Sequence, residues 1–317
     1  MVLLYLLIFV IASYALVKSG AVLVKTLTRM AGYFKLTEYV LAFVLMTFAT
    51  TLPELLVGVT SAIRGYSIVS LGNIIGSNLV NLSFILGLVA IVSKGLKVKS
   101  KIAKRDSWII FLIALLPLLF VFDKKISRGE GFLLMIVFGW YIYHILREKD
   151  AFTHRVHHIK HEITGSDRFL KVIFVFIISA AILILSSWII VESAREIAEN
   201  LYIPLVLISL ILVAFGTSLP ELVFGMRAAI AKHEGLCLGN IIGSVVINST
   251  FILGLTALIS PIQVENLKII YIGGGFMLAT ILFANLFIAT KNKVSWKEGL
   301  FLIVLYFAFL VAEFLLK

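Results

Sequence analysis

The chain has 317 residues, of which 61% are hydrophobic and 14% are charged, and its formal net charge is +11. A soluble domain carries about 25% charged residues, so this composition excludes a water-soluble protein. The basic residues lie between long apolar runs, which excludes a nucleic-acid-binding protein. We therefore expect a protein that is integral to a lipid bilayer and has no nucleic-acid partner.

The apolar sequence divides into runs of about 17–28 residues, and a helix needs roughly 20 residues to cross the hydrocarbon core. An outer-membrane barrel would instead show short alternating segments. We expect an all-α integral membrane fold with ten transmembrane helices. The predicted spans are 2–24, 37–63, 68–93, 107–122, 130–146, 169–193, 203–231, 236–260, 267–290 and 299–316.

One segment of 41 residues occurs twice, at 48–88 and 215–255, with an offset of 167 residues and 22 identical positions. Five predicted spans precede a polar loop and five follow it. Because five is odd, the second half enters the membrane in the opposite orientation. We expect two inverted five-helix repeats, at 1–146 and 169–317, joined by a cytoplasmic linker at 147–168.

The distribution of lysine and arginine predicts the orientation in the membrane. With the N-terminus outside, the connections on the inner side hold 20 basic residues and those on the outer side hold 7. Cytoplasmic loops carry the positive excess. We therefore expect both termini to lie outside the cell.

Each copy of the repeated segment places one glutamate, Glu54 or Glu221, within apolar sequence. A carboxylate in a bilayer costs roughly 2.5–3.5 kcal/mol on insertion scales, so a matched pair indicates an ion site. The prolines before them, Pro53 and Pro220, each remove a backbone hydrogen bond and free a carbonyl. Carboxylate, hydroxyl and carbonyl oxygens suit Ca²⁺ and Na⁺ better than transition metals. The alternative is a proline kink whose glutamate reaches the membrane surface.

Neutral polar residues accompany both glutamates in the two copies. The predicted cluster consists of Glu54, Glu221, Thr50, Thr217, Thr51, Ser218, Ser77, Ser244, Asn81 and Asn248. Inverted repeats bring matched residues together near the membrane midplane, so we expect these side chains to converge there. The formal charge of the cluster is −2, which balances one divalent cation or about two monovalent cations, and this is typical of an exchanger.

The motifs GTSLPE and GNIIGS, duplicated in inverted halves, resemble those of the cation/Ca²⁺ exchanger superfamily, and in particular the compact prokaryotic Na⁺/Ca²⁺ exchangers. The resemblance covers essentially the whole chain. It implies that Glu54 and Glu221 ligate Ca²⁺ together with backbone oxygens of Thr50 and Thr217. It also implies a prokaryotic cell membrane and a first and sixth helix that slide across the rest. Two flanking Na⁺ sites are implied, one at Thr47, Thr50 and Ser77 and the other at Ala214, Thr217 and Ser244.

The sequence departs from the family pattern in two places. Ala49 and Thr51 replace the usual glycine and serine, and Asn248 stands where some archaeal relatives have an aspartate. Proton-coupled relatives usually carry GN…E motifs in place of the PE motif, which favours Na⁺ as the coupling ion.

We therefore expect a secondary antiporter that exchanges Ca²⁺ for Na⁺. The alternatives are a Ca²⁺/H⁺ antiporter on the same scaffold and a Ca²⁺-permeable channel. An enzyme is not expected, because the sequence has no nucleophile–base constellation, and the absence of a P-loop argues against a pump. We expect no cofactor beyond the transported ions and no obligate protein partner, since an intact repeat allows the chain to work as a monomer.

Overall fold

The computed structural model describes residues 2–33, 47–97, 107–147, 166–230, 234–291 and 293–315. The expected linker, 147–168, lies outside these residues except at its two ends. Residues 37–46 of the second predicted span also lie outside them.

The first half contains six α-helices in the described residues. Their bounds are α1 Val2–Tyr33, α2 Leu52–Ile63, α3 Ile68–Val80, α4 Leu86–Val92, α5 Ser107–Phe120 and α6 Arg128–Arg147. A π-helical turn, Asn81–Ile85, connects α3 to α4, and the three together form one crossing. Two short strands, β1 Leu96–Lys97 and β2 Lys125–Ile126, lie on either side of α5.

The second half repeats this order of elements. Its helices are α7 Ser166–Leu201, α8 Leu205–Ile208, α9 Ala214–Thr217, α10 Leu219–Ile230, α11 Glu234–Ile247, α12 Leu253–Ile259, α13 Leu267–Lys291 and α14 Trp296–Leu315. A π-helical turn connects α8 to α9 at Ser209–Val213, and another connects α11 to α12 at Asn248–Ile252. Strands β3 Ile262–Gln263 and β4 Lys293–Val294 lie on either side of α13.

Six helical segments within the described residues are long and apolar enough to cross a membrane, and the bent pair formed by Leu205–Thr217 and Leu219–Ile230 adds a seventh. The remaining predicted spans correspond to α2, α5 and α6. Helices α1 and α7 extend well beyond the predicted ends at residues 24 and 193. The sequence criterion counts only apolar residues, whereas a helix continues into the polar interface once its hydrogen-bonded turns are established.

Two antiparallel ribbons show that the halves are inverted. β1 pairs with β4, and β2 pairs with β3. Strands β1 and β3 are equivalent, because each follows the crossing that carries the motif GNIIGS. Since α5 separates β1 from β2, and α13 separates β3 from β4, the two ribbons lie at opposite ends of these helices. Equivalent strands therefore lie on opposite sides of the membrane, as the odd number of spans in each half predicts.

Helices α6 and α14 begin in the same way. The carboxylate of Glu130 accepts hydrogen bonds from the backbone nitrogen and hydroxyl of Ser127, at 2.7 and 2.8 Å. Glu298 accepts the same two bonds from Ser295 at the same distances. Each pair is a capping box that satisfies donors left free at a helix N-terminus, so the two helices start at matched positions in the two repeats.

Helices α1 and α7 form a layer of their own. Phe9 and Leu16 of α1 and Leu183 of α7 are buried together, and Val57 and Val213 pack against them from the other helices. The larger apolar core lies among the remaining helices of both repeats. The first and sixth predicted spans therefore contact the rest of the protein through a separate apolar face.

Glycines bring backbones together at two matched places. A side-chain carbon added to Gly87 of α4 would lie 2.5 Å from the carbonyl oxygen of Gly299 in α14. One added to Gly131 of α6 would lie 2.9 Å from the carbonyl oxygen of Gly254 in α12. Small residues allow such close approach between membrane helices, and these two contacts join each repeat to the other.

We predict that Gly87→Ala lowers the free energy of unfolding by roughly 1–3 kcal/mol, because the added methyl group forces α4 and α14 apart. Thermal unfolding in detergent measures the effect. Gly139→Ala in α6 is the matched control, since a carbon there would meet no atom within 4 Å. Equal unfolding temperatures for the two variants would show that the backbone contact is unimportant.

Candidate cation site

Both glutamates lie in the first turn of a helix that follows a break. Helix α2 begins at Leu52 after a bend at Thr51, and α10 begins at Leu219 with a bend of 41° from the preceding helix. Proline is tolerated in the first helical turn, where the missing N–H would have no partner. The breaks expected near Pro53 and Pro220 are therefore present, and each places a carboxylate at a helix N-terminus, whose dipole favours negative charge.

Both carboxylates are fully buried, and none of their four oxygens has a hydrogen bond within the described part of the chain. The Glu54 carboxylate faces the hydroxyls of Ser77 and Thr217. The Glu221 carboxylate faces Thr50 and lies near enough to Glu54 for the two charges to repel. A buried carboxylate without a partner is costly, so the pair favours a bound cation. Each glutamate faces a threonine of the other repeat.

Two equivalent hydrogen bonds connect the breaks to the opposite repeat. The Thr50 hydroxyl donates to Oδ1 of Asn240 at 3.0 Å, and the Thr217 hydroxyl donates to Oδ1 of Asn73 at 3.0 Å. With its proton used in this way, a hydroxyl keeps its lone pairs for a cation. Asn73 and Asn240 are absent from the predicted cluster. Their signal was their place in GNIIGS, four residues before Ser77 and Ser244.

The contacts of Ser77 cross from one repeat to the other. The Ser77 hydroxyl lies 3.4 Å from the Ala214 carbonyl oxygen and 3.3 Å from the Thr217 hydroxyl. Both partners belong to the second repeat, so these contacts favour a group of Ser77, Ala214 and Thr217 over the predicted group of Thr47, Thr50 and Ser77. The same contacts favour Ser77 over Ser244 as the serine beside Ala214 and Thr217, in place of the predicted group of Ala214, Thr217 and Ser244.

The equivalent contacts lie on the opposite side of the pair. Gly243, beside Ser244, lies against Thr47, since a carbon added there would be 3.0 Å from the Thr47 hydroxyl. The crossed arrangement follows from the inversion of the repeats, which brings each GNIIGS helix against the break of the other half.

All twelve predicted site residues are at most 8% exposed. The hydroxyls of Ser218 and Ser244 have no hydrogen bond, whereas that of Thr51 donates to the Thr47 carbonyl oxygen at 2.9 Å. Among the residues that the structure describes, neither amide atom of Asn81 has a partner, and Oδ1 of Asn248 also has none. Several oxygens of the predicted cluster are thus buried without a hydrogen bond in the described part of the chain.

Asn81 and Asn248 are the first residues of matched π-helical turns. Such turns are frequent at functional sites because they redirect side chains from the regular helical face. A regular helix would place Ser77 and Asn81, which are four residues apart, on one face. Sequence pattern alone carries no signal for a π-helical turn.

A third buried carboxylate, Glu313 of α14, was missed. It is 1% exposed, its oxygens have no hydrogen bond, and a carbon added to Gly273 would lie 3.6 Å from its Oε1. By the spacing of the two capping boxes, its counterpart in the first repeat is Ile145. Glu313 is therefore not part of the duplicated motif and offers a comparison for Glu54 and Glu221.

Inverted repeats that gather paired carboxylates and hydroxyls in a buried site are the architecture of a secondary cation transporter. The family model described as sodium/calcium exchanger protein matches residues 4–147 and 171–315. The chain therefore belongs to the sodium/calcium exchanger protein family, as the motifs predicted. It is a multi-pass membrane antiporter and not an enzyme.

Individual relatives agree with this assignment. The sodium/calcium exchanger MaX1 of Methanosarcina acetivorans is 30% identical, over 97% of this chain and 98% of that protein. The inner membrane protein YrbG of Escherichia coli is 27% identical, over 89% of this chain and 86% of its own length. A structure of the sodium-calcium exchanger NCX_Mj soaked with Na⁺ and Sr²⁺ matches with a TM-score of 0.66 at 25% identity, covering 98% of this chain and 99% of that one. The all-α fold of two inverted repeats is confirmed.

We predict that Ca²⁺ raises the unfolding temperature of the wild-type protein, by an amount equivalent to about 2.7 kcal/mol at a hundred times the dissociation constant. Glu54→Gln and Glu221→Gln should each abolish this shift, because each removes one of the two charges that a divalent cation needs. Glu313→Gln makes the same change at a buried carboxylate outside the site and should keep the shift. A retained shift in either of the first two variants would argue against the site.

Proposed function

We propose that the chain exchanges Ca²⁺ for Na⁺ across a prokaryotic cell membrane, with Glu54 and Glu221 as the Ca²⁺ ligands. The observation that carries the proposal is the pair of buried carboxylates that have no hydrogen-bond partner and face oxygens of the opposite repeat. Two negative charges and several neutral oxygens are a suitable set for Ca²⁺, which takes six to eight oxygen ligands. Backbone oxygens of Thr50 and Thr217 would complete the central site.

Hydroxyls and carbonyls beside the carboxylates would hold Na⁺. One Na⁺ site would use the hydroxyls of Ser77 and Thr217 and the carbonyl oxygen of Ala214. The two hydroxyl oxygens lie 3.3 Å apart, and they lie 3.4 and 3.3 Å from that carbonyl oxygen. The other would use Ser244, Thr47 and Thr50. Both flanking sites share the two glutamates with the central site.

Shared carboxylates make the two cations compete. A Ca²⁺ ion neutralises both charges, so Na⁺ at the flanking sites then lacks a counter-charge, and the reverse holds when Na⁺ is bound. Ser218 and Thr51 would line the breaks, and the amides of Asn81 and Asn248 would direct their oxygens to the same cavity. Exclusive binding of one cation or the other is the condition for exchange.

Alternating access would follow from the inverted repeats. If the two repeats exchange their conformations, the same contacts form again and the site opens to the opposite side of the membrane. The layer of α1 and α7 would move, since it meets the remaining helices through an apolar face. A single chain contains both halves of the site, which supports a functional monomer.

We predict that proteoliposomes loaded with Na⁺ and diluted into Na⁺-free buffer accumulate ⁴⁵Ca²⁺. Ser77→Ala and Ser244→Ala should each reduce this uptake strongly, because each removes an oxygen from one Na⁺ site. A Ca²⁺/H⁺ antiporter would tolerate both changes, since the two glutamates, and not the serines, would bind the protons that it exchanges for Ca²⁺.

The matched control is Thr280→Ala, which removes a buried hydroxyl that bonds only to the Phe276 carbonyl oxygen of its own helix at 2.7 Å. Uptake that follows an imposed pH gradient and ignores Na⁺ would establish the proton-coupled alternative. Uptake that does not saturate and needs no counter-ion would indicate a channel.

We also propose that both termini lie outside and that the linker 147–168, between halves at 1–146 and 169–317, lies in the cytoplasm. The excess of basic residues on one side supports this orientation. This orientation places the β2–β3 ribbon outside the cell and the β1–β4 ribbon on the cytoplasmic side.

Cysteines introduced at Lys125 and Lys293, one on each ribbon, test the orientation. An impermeant thiol reagent added to intact cells should label the cysteine at position 125 and leave the cysteine at position 293 unlabelled. Cys237 is fully buried and is replaced by alanine in both variants. Labelling of position 293 alone would reverse the orientation.

A further inference from the structure

Asn78 connects the two repeats beside the proposed site. Its Nδ2 donates a hydrogen bond to the Ser249 hydroxyl at 2.9 Å, and its Oδ1 accepts one from Nδ2 of Asn248 at 3.0 Å. Asn78 itself is fully buried. A single side chain of α3 thus binds two consecutive residues at the start of the π-helical turn Asn248–Ile252.

These bonds fix which atom of the Asn248 amide stays free. Because its nitrogen donates to Asn78, its Oδ1 is the atom without a partner. An amide turned the other way would present N–H groups, which repel a cation. In the arrangement that the structure shows, the bond to Asn78 uses the Asn248 nitrogen and leaves its carbonyl oxygen as the atom that can act as a ligand.

Asn81 of the first repeat is not held in the way that Asn248 is. Val245 stands at the position equivalent to Asn78, and a valine can neither accept nor donate a hydrogen bond. Asn81, the counterpart of Asn248, accordingly has both amide atoms unpaired. Asn81 and Asn248 therefore differ because one of two equivalent positions is Asn78 and the other is Val245.

We propose that Asn78 is a positioning residue that holds the carbonyl oxygen of Asn248 ready for a bound cation, an inference that rests on the proposed exchange function. Groups that orient a ligand from behind reduce the reorganisation that binding requires. Asn248 is then the pre-set amide ligand of the site, whereas Asn81 must turn before it can bind. The two halves of the site are unequal in spite of their shared motif.

Asn78→Val gives this position the residue of the other repeat and tests the proposal. We expect the KM for Ca²⁺ in Na⁺-driven uptake to rise roughly three- to tenfold, as for the loss of one buried hydrogen bond, with a smaller change in kcat. A purely structural role would lower the amount and stability of folded protein and leave the KM unchanged. Thr280→Ala is again the control for the loss of a buried polar group.

A double-variant cycle identifies the route of the effect. Because Asn78 acts through Asn248, Asn78→Val combined with Asn248→Ala should have the same KM as Asn248→Ala alone. Combined with Asn81→Ala, it should multiply the two single effects. An unchanged KM in Asn78→Val, or full multiplication in the Asn248 pair, would overturn the proposal.

The thermal shift with Ca²⁺ separates this inference from the proposed function. If wild-type vesicles show no Na⁺-driven uptake, the exchange proposal fails. The concentration of Ca²⁺ that gives half of the maximal shift then replaces the KM. A three- to tenfold higher concentration for Asn78→Val still supports the positioning role, and an equal concentration contradicts it.

Discussion

The structure depends on placing two carboxylates, those of Glu54 and Glu221, in one buried site where no described basic residue pairs with them. One feature around them reduces the cost of that arrangement, and another prepares the site for a cation. The breaks before α2 and α10 put both carboxylates at helix N-termini. Hydroxyls of the opposite repeat face them, and asparagines occupy the protons of two of those hydroxyls. The negative charge of the two carboxylates remains uncompensated, and a bound cation would supply the positive charge that balances it.

Inversion explains why contacts of the site cross between repeats. A half-site built from one break and one GNIIGS helix within the same repeat would satisfy itself, and duplication would then give two separate sites. Here Thr50 bonds Asn240, Thr217 bonds Asn73, and Ser77 contacts Ala214 and Thr217. Each repeat supplies what the other lacks, so a single site forms at the interface and both halves are needed for it.

Duplication made the sequence informative, because it marked which polar positions recur within apolar sequence. It revealed the glutamates, the breaks and the inverted halves. It could not reveal which half each contact joins, because the same motif letters fit both pairings, and the regrouping of Ser77 is the result. The π-helical turns at Asn81 and Asn248 change backbone hydrogen bonding without changing the sequence pattern. The positions equivalent to Glu313 and Asn78 hold the apolar residues Ile145 and Val245, so comparison of the two copies did not mark them as polar positions that recur.

The polar contacts also indicate which part of the protein can move. Ribbons β1–β4 and β2–β3 join the halves on both sides of the membrane, and the threonine–asparagine bonds join them at the site. Helix α7 is held to α2 by a Thr60–Ser187 hydrogen bond of 2.9 Å, and at one end by the ion pair of Arg64 with Glu192. These are two polar contacts, and the side chains of the ion pair are 22% and 25% exposed. A displacement of the α1–α7 layer breaks few polar contacts and leaves the site whole, whereas a displacement of one repeat against the other would break the site itself.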